Sequence, residues 1–221
     1  MRTVSAITAG IELRFAGRPL AEAMAAAETE IDISAADTVA GYAARFNVRS
    51  QDLGGFYELI AAGAFDGVLE QDVVALFNHD ANQPLARSSA GTLRLSVDDI
   101  GLRYEFDLAK DDLSEQVARF IADKRVAGSS FGFFVAPDGD KWVRMEDGQV
   151  CRTITRFSRL LDVSPCTFPA YLATDVQLRA AGDASASGLA AFLAAEQRTA
   201  ATVATSSRAR ELELMEISLG R

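Results

Sequence analysis

Hydrophobic and polar positions alternate through the middle of the chain in a way that predicts a β-rich fold. Thr92 to Val97 places Leu93, Leu95 and Val97 on one face, and Gly101 to Leu108 alternates through Leu102, Tyr104, Phe106 and Leu108. Asp98-Asp99-Ile100-Gly101 lies between them, so the pair reads as a β-hairpin. Val39 to Val48 carries β-formers and runs into a loop-rich stretch ending at Gly54-Gly55. Val73 to Phe77 is a continuous apolar run that empties into Asn78-His79-Asp80, as a buried strand entering a loop does. Further strands are predicted over Val126 to Val135, around Trp142 to Met145, and over Val150 to Val163. Turns at Pro137-Asp138-Gly139 and Glu146-Asp147-Gly148 separate them.

Helical periodicity is sparser. Leu113, Val117, Phe120 and Ile121 form one stripe, and Asp112 with Glu115 has the spacing of a capping box, the aspartate standing in the Ser/Thr role. Ala64 to Glu70 is a short helix candidate, and Ala21 to Glu30 leans helical. Two more stretches, residues 189–198 and 208–219, are predicted near the C-terminal end, the second with Leu212, Met215 and Leu219 on a stripe. The expected architecture is α+β: a mainly antiparallel, partly closed β-barrel with peripheral helices and a helical or disordered tail. Composition divides the chain into a variable segment (residues 1–36), a central domain (37–180) and an Ala/Ser-rich linker with tail (181–221).

The bulk chemistry removes several function classes. Across 221 residues the formal net charge is −9 and the sequence pI about 4.7. A general nucleic-acid binder needs a basic face, so nucleic acid is not an expected partner. Two cysteines, Cys151 and Cys166, and one histidine do not make a structural zinc site. There is no phosphate-binding loop and no pair of metal ligands, so neither cofactor nor metal is expected. No apolar run approaches the roughly 20 residues of a membrane helix or the shorter core of a secretion signal, and a soluble intracellular protein is expected.

If the chain is a hydrolase, the residues that could carry the chemistry are few. Histidine is the usual general base at neutral pH, and His79 is the only one in the chain. In Gly128-Ser129-Ser130-Phe131-Gly132-Phe133, strand alternation turns Phe131 and Phe133 to one face and Ser130 with Gly132 to the other. The rings would anchor the strand while Ser130 faces a cleft with room for a peptide backbone. Ser129 points the opposite way. A base needs an acid to orient it. In Phe157 to Val163 alternation groups Phe157, Arg159, Leu161 and Val163 on one face and Ser158, Leu160 and Asp162 on the other. Asp162 is the carboxylate of that strand; Asp80, Glu58 and Asp107 are alternatives. Taken singly, each of these residues also has an ordinary structural reading.

In chain order, five segments resemble the prohead proteases of tailed phages, the family that matures procapsids. They are Gly41-Tyr42-Ala43 with Phe46-Asn47, Gly63-Ala64-Phe65, Ala75 to Asp80, Ser130-Phe131-Gly132-Phe133, and Leu161-Asp162-Val163-Ser164 with Thr167-Phe168-Pro169-Ala170. The resemblance spans about residues 38–180. It implies a β-barrel akin to the herpesvirus assemblins, with Ser130 as nucleophile and His79 as base. Asp162 is the implied third member, where glutamate is more usual in the family. The assemblins' second histidine has no counterpart here. Backbone amides near Gly132, or Arg156 or Arg159, are the candidate oxyanion donors. The implied substrates are the major capsid protein or scaffold and the protease itself, inside the assembling procapsid in the host cytoplasm. A homo-oligomer is expected by analogy with the assemblins, and no membrane partner. The alternatives are a catalytically inactive capsid-assembly or scaffold-like protein and, further off, a small-ester hydrolase. The helix that follows a Gly-x-Ser-x-Gly elbow is missing after Gly132.

Overall fold

Twelve strands, two α-helices and a short 3₁₀ helix (Ser88–Ala90) account for the regular structure in the computed structural model, which describes residues 12–15, 18–19, 37–169 and 188–200. The predicted helices at Ala21 to Glu30 and residues 208–219 lie outside the described residues. In chain order the elements are β1 (Glu12–Phe15), β2 (Arg18–Pro19), β3 (Thr38–Arg45), β4 (Phe56–Ile60), β5 (Val74–Phe77) and β6 (Asp80–Arg87). There follow β7 (Leu93–Val97), β8 (Gly101–Asp107), α1 (Asp112–Ala122), β9 (Gly128–Val135), β10 (Asp140–Arg144), β11 (Val150–Ile154) and β12 (Phe157–Cys166). Helix α2 covers residues 188–200 and belongs to a second unit, Ala181–Arg221, separate from Met1–Ala180.

The strands form three sheets, ordered β2-β1-β3-β8-β7, β10-β11-β4 and β6-β5-β12-β9. The class is α+β, and mostly β. Among the described residues the hydrogen-bonded ladders do not join into a closed barrel, so the strand pairing supports the α+β class and not the finer barrel assignment. Most pairs are antiparallel, but β4 with β11 and β5 with β12 are parallel. Long connections make this possible, since parallel neighbours cannot be joined by a tight turn.

The β7–β8 hairpin forms as predicted. Val97 pairs with Leu102, and Asp98 Oδ1 accepts from the Ile100 and Gly101 N–H groups, closing the turn. Helix α1 also forms, but its cap is Asp111, whose side chain accepts from the Ser114 N–H at 2.8 Å. Glu115 instead pairs with Arg119 one turn on. The helix candidate at Ala64 to Glu70 is a chain of tight turns. Gly63 and Gly67 sit at φ +86° and +78°, which an α-helix cannot contain. The strand expected over Val150 to Val163 is two strands. The Thr155 and Arg156 N–H groups both turn to the Gly139 carbonyl and break the run. Strand β6 was not anticipated, because Asp80, Asn82, Gln83 and Pro84 hide any alternation.

The core gathers Phe65, Leu102, Tyr104, Phe106, Ile154 and Leu160, all essentially inaccessible. Phe65 packs its ring against Phe131 and Phe157, so β9 and β12 are anchored on their core side. Glu58 is fully buried on β4, and Arg152 of β11 meets it at 3.2 Å while binding Asp140 at 2.7 Å. Removing the cation from such a group leaves carboxylate charge in a dry setting. Arg152→Leu is expected to cost about 3–5 kcal/mol, measured by urea unfolding.

Candidate active site

His79 owes its position to a two-residue turn. Phe77 pairs with Asp80, so Asn78 and His79 alone connect β5 to β6. Both have positive φ, 54° and 58°, the geometry that suits the right-handed twist of the flanking strands. Asn78 ties this turn to the end of β12. Its N–H donates to the Pro165 carbonyl at 3.0 Å, and its Oδ1 accepts from the Thr167 N–H at 2.9 Å.

From the turn, the His79 ring reaches back to β12. Nδ1 lies 2.7 Å from Asp162 Oδ1. A carboxylate only accepts, so this contact keeps the ring proton on Nδ1 and leaves Nε2 as acceptor. The same Oδ1 accepts from Ser164 Oγ at 2.7 Å. Ser164 is fully buried and fixes the carboxylate from behind. Sequence reading missed this role, although Ser164 stands two residues past Asp162, on the same side of a strand.

Two irregularities in β12 decide which side chains share the Asp162 face. Register shifts fall between Phe157 and Arg159 and between Leu160 and Asp162. Ser158 and Leu161 are the extra residues, and each resets the alternation. Phe157, Leu160 and Val163 therefore face the core, at 3%, 0% and 0% exposure. The grouping of Leu160 with Asp162, and of Leu161 with Val163, is thus corrected.

Across the ladder Asp162 faces Gly132, and Ser164 faces Ser130. Ser130, Gly132 and Asp162 consequently lie on one face, opposite the Phe131–Phe133 ring stack. Asp162 Oδ2 fills the space where a side chain at position 132 would begin. Ser130 is largely buried, and among the described residues its hydroxyl makes no hydrogen bond, including none to His79. Ser129 points to the other face, its Oγ 2.7 Å from the Tyr104 hydroxyl inside the core.

The rival acids are committed elsewhere. Asp80 accepts from the Asn82 N–H, the Asn82 amide and Gln83, and these bonds hold its carboxyl below the usual range. Asp107 is held down by Arg94, and Glu58 is bound by Arg152. Arg156 donates to the Pro137 carbonyl, which leaves it a poor oxyanion donor. Cys166 is a further neighbour on this side of β12. Burial, and then the Asp162 charge, push its thiol up to about 12, so it stays protonated and unreactive. No group of three or more metal-binding side chains occurs among the described residues.

The model of one protein family, caudovirus prohead serine proteases, matches residues 25–187, a span holding β3 to β12 and all three candidate residues. The chain belongs to this family. No curated protein and no solved structure matches it. Family membership makes the chain a serine peptidase of phage head maturation at the level of class. For such a family member the close approach of Asp162 to Gly132 has a measurable consequence. Gly132→Ala is expected to displace the Asp162 carboxylate from His79 and lower kcat/KM roughly 10²-fold, since small misplacements of reacting groups have that effect. A peptidase assay beside circular dichroism checks it: lost activity with a native spectrum is the expected pair of results.

Proposed function

We propose that this chain is the endopeptidase that cleaves scaffold or capsid-protein segments, and itself, within the procapsid, using Ser130, His79 and Asp162. The observation that supports the reading best is the 2.7 Å contact of His79 Nδ1 with Asp162, on the sheet face that also carries Ser130. Ser130 Oγ attacks the scissile carbonyl carbon while Nε2 of His79 takes its proton. Asp162, steadied by Ser164, stabilises the imidazolium that results. His79 then returns the proton to the leaving amine, and water hydrolyses the acyl-enzyme by the same steps reversed. The nucleophile–base hydrogen bond forms as substrate closes the site, as in many free enzymes.

Strands β5, β12 and β9 are consecutive in one sheet, so the proposed base, in the turn after β5, lies beside the strands that carry the acid and the nucleophile. The acidic chain, at net charge −9, fits a protein substrate and not a nucleic acid. Among the described residues no helix is long and apolar enough to cross a membrane. Kinship with the assemblins, and the dimerisation that activates them, belong to this same reading. Co-expression of the chain with its cognate capsid and scaffold proteins tests it. Wild type is expected to shorten one of them, by intact mass, and Ser130→Ala to leave both full length. Full-length partners with wild type would leave an assembly module without chemistry.

A further inference from the structure

On β9 the side chains of Ser130, Gly132 and Phe134 follow one another on the same face. Phe131 is a core residue and Phe133 packs half-buried against the core, but Phe134 is 43% exposed, one of the largest apolar surfaces among the described residues. Its cross-strand partner is Arg159. That register puts Arg159 on the Asp162 face too, because its neighbour Leu160 points into the core opposite Phe133. Arg159 is exposed, and among the described residues its guanidinium makes no hydrogen bond or ion pair. Many of the chain's other arginines are taken: Arg87 by Asp72, Arg94 by Asp107, Arg119 by Glu115 and Arg125 by Asp123. An uncompensated cation beside an exposed ring, on the face of the nucleophile, has no structural task of its own.

Strand geometry gives the distance. Phe134 lies four positions along the strand from Ser130, about 14 Å at roughly 3.4 Å per residue. A substrate segment lying extended along β9 advances at the same rate. The pair therefore meets the third or fourth residue from the scissile bond. We propose that Phe134 and Arg159 form a specificity subsite for an acidic substrate side chain, glutamate or aspartate, at that distance. The methylenes of the acid lie on the Phe134 ring, and its carboxylate is taken by the Arg159 fork. This rests on the peptidase reading above and adds a sequence preference to it.

The test uses the full-length protein and a mixture of peptides from a digested proteome, with cleavage products read by mass spectrometry. Wild type is expected to cut with Asp or Glu enriched three or four residues from the new terminus, and Lys and Arg depleted there. Arg159→Glu is expected to reverse that preference, changing the acidic-to-basic ratio of kcat/KM by tenfold or more on matched peptides, as charge reversal at a contact does. Arg159→Gln is expected to abolish the preference without reversing it, and Phe134→Ala to raise KM more than it lowers kcat. Cleavage by wild type with no acidic enrichment, or an enrichment that both Arg159 variants retain, overturns the subsite alone. A wild type that cuts no peptide, like the Ser130→Ala control, overturns the peptidase reading and the subsite with it.

Discussion

Ser130→Ala is expected to cut its substrate roughly 10⁶-fold more slowly than wild type, because it removes the proposed nucleophile and with it nearly all covalent catalysis. The size of the effect follows from the lack of a reserve. Ser129 is the adjacent hydroxyl, but it faces the core and is bound to Tyr104 at 2.7 Å. Ser164 lies across the ladder, fully buried, with its proton already given to Asp162. The Cys166 thiol is held neutral, its titration pushed up to about 12. None of the three can replace Ser130. The variant should also fold normally, since the deleted hydroxyl makes no hydrogen bond among the described residues. Measured kcat/KM on a cleaved capsid segment, with thermal unfolding as the control, checks both halves. A variant that trims at a normal rate would remove Ser130 from the mechanism.

The second large effect is expected at Asp162. Asp162→Asn keeps shape and volume, so the sheet and the Gly132 contact should survive. What disappears is the negative charge beside the Nδ1 atom of His79, which lies 2.7 Å from it. An amide at this place also offers a donor, and the ring is then free to take the wrong tautomer. A drop of roughly 10³–10⁴ in kcat, with little change in KM, is the expected result. The contrast with Gly132→Ala is informative. That substitution keeps the charge and moves it, so its smaller loss separates placement from electrostatics. Equal losses in the two variants would mean that position alone matters at Asp162.

Much of this site was legible before any coordinate was known, and the reasons are local. Alternation in Ser130-Phe131-Gly132-Phe133 is regular, so the face of Ser130 follows from the positions of the rings. The β7–β8 hairpin and the α1 stripe are equally plain, because periodicity there meets no interruption. What failed was wherever an extra residue or a special backbone angle entered. The shifts at Ser158 and Leu161 invert the faces of β12, and nothing in their composition announces them. Gly63 and Gly67 break a helix whose side chains would otherwise suit one. Strand β6 is polar at the turn and takes its partner from β5, so its signal lies in a neighbour and not in itself. Closure of a barrel is a property of how sheets meet, and no single segment encodes it. The link from Ser164 to Asp162 is visible only once both residues are known to lie in a strand.

The turn that carries His79 sets backbone strain against a side-chain contact. Its backbone stands at φ +58°, a region where a side chain costs on the order of 1 kcal/mol and glycine costs nothing. His79→Gly relieves that cost but strips the buried Asp162 of its 2.7 Å partner, so no gain in melting temperature is expected, and on the proposed mechanism activity is lost. The turn thus aims the ring across to β12, and the contact made there offsets the backbone conformation that makes it possible.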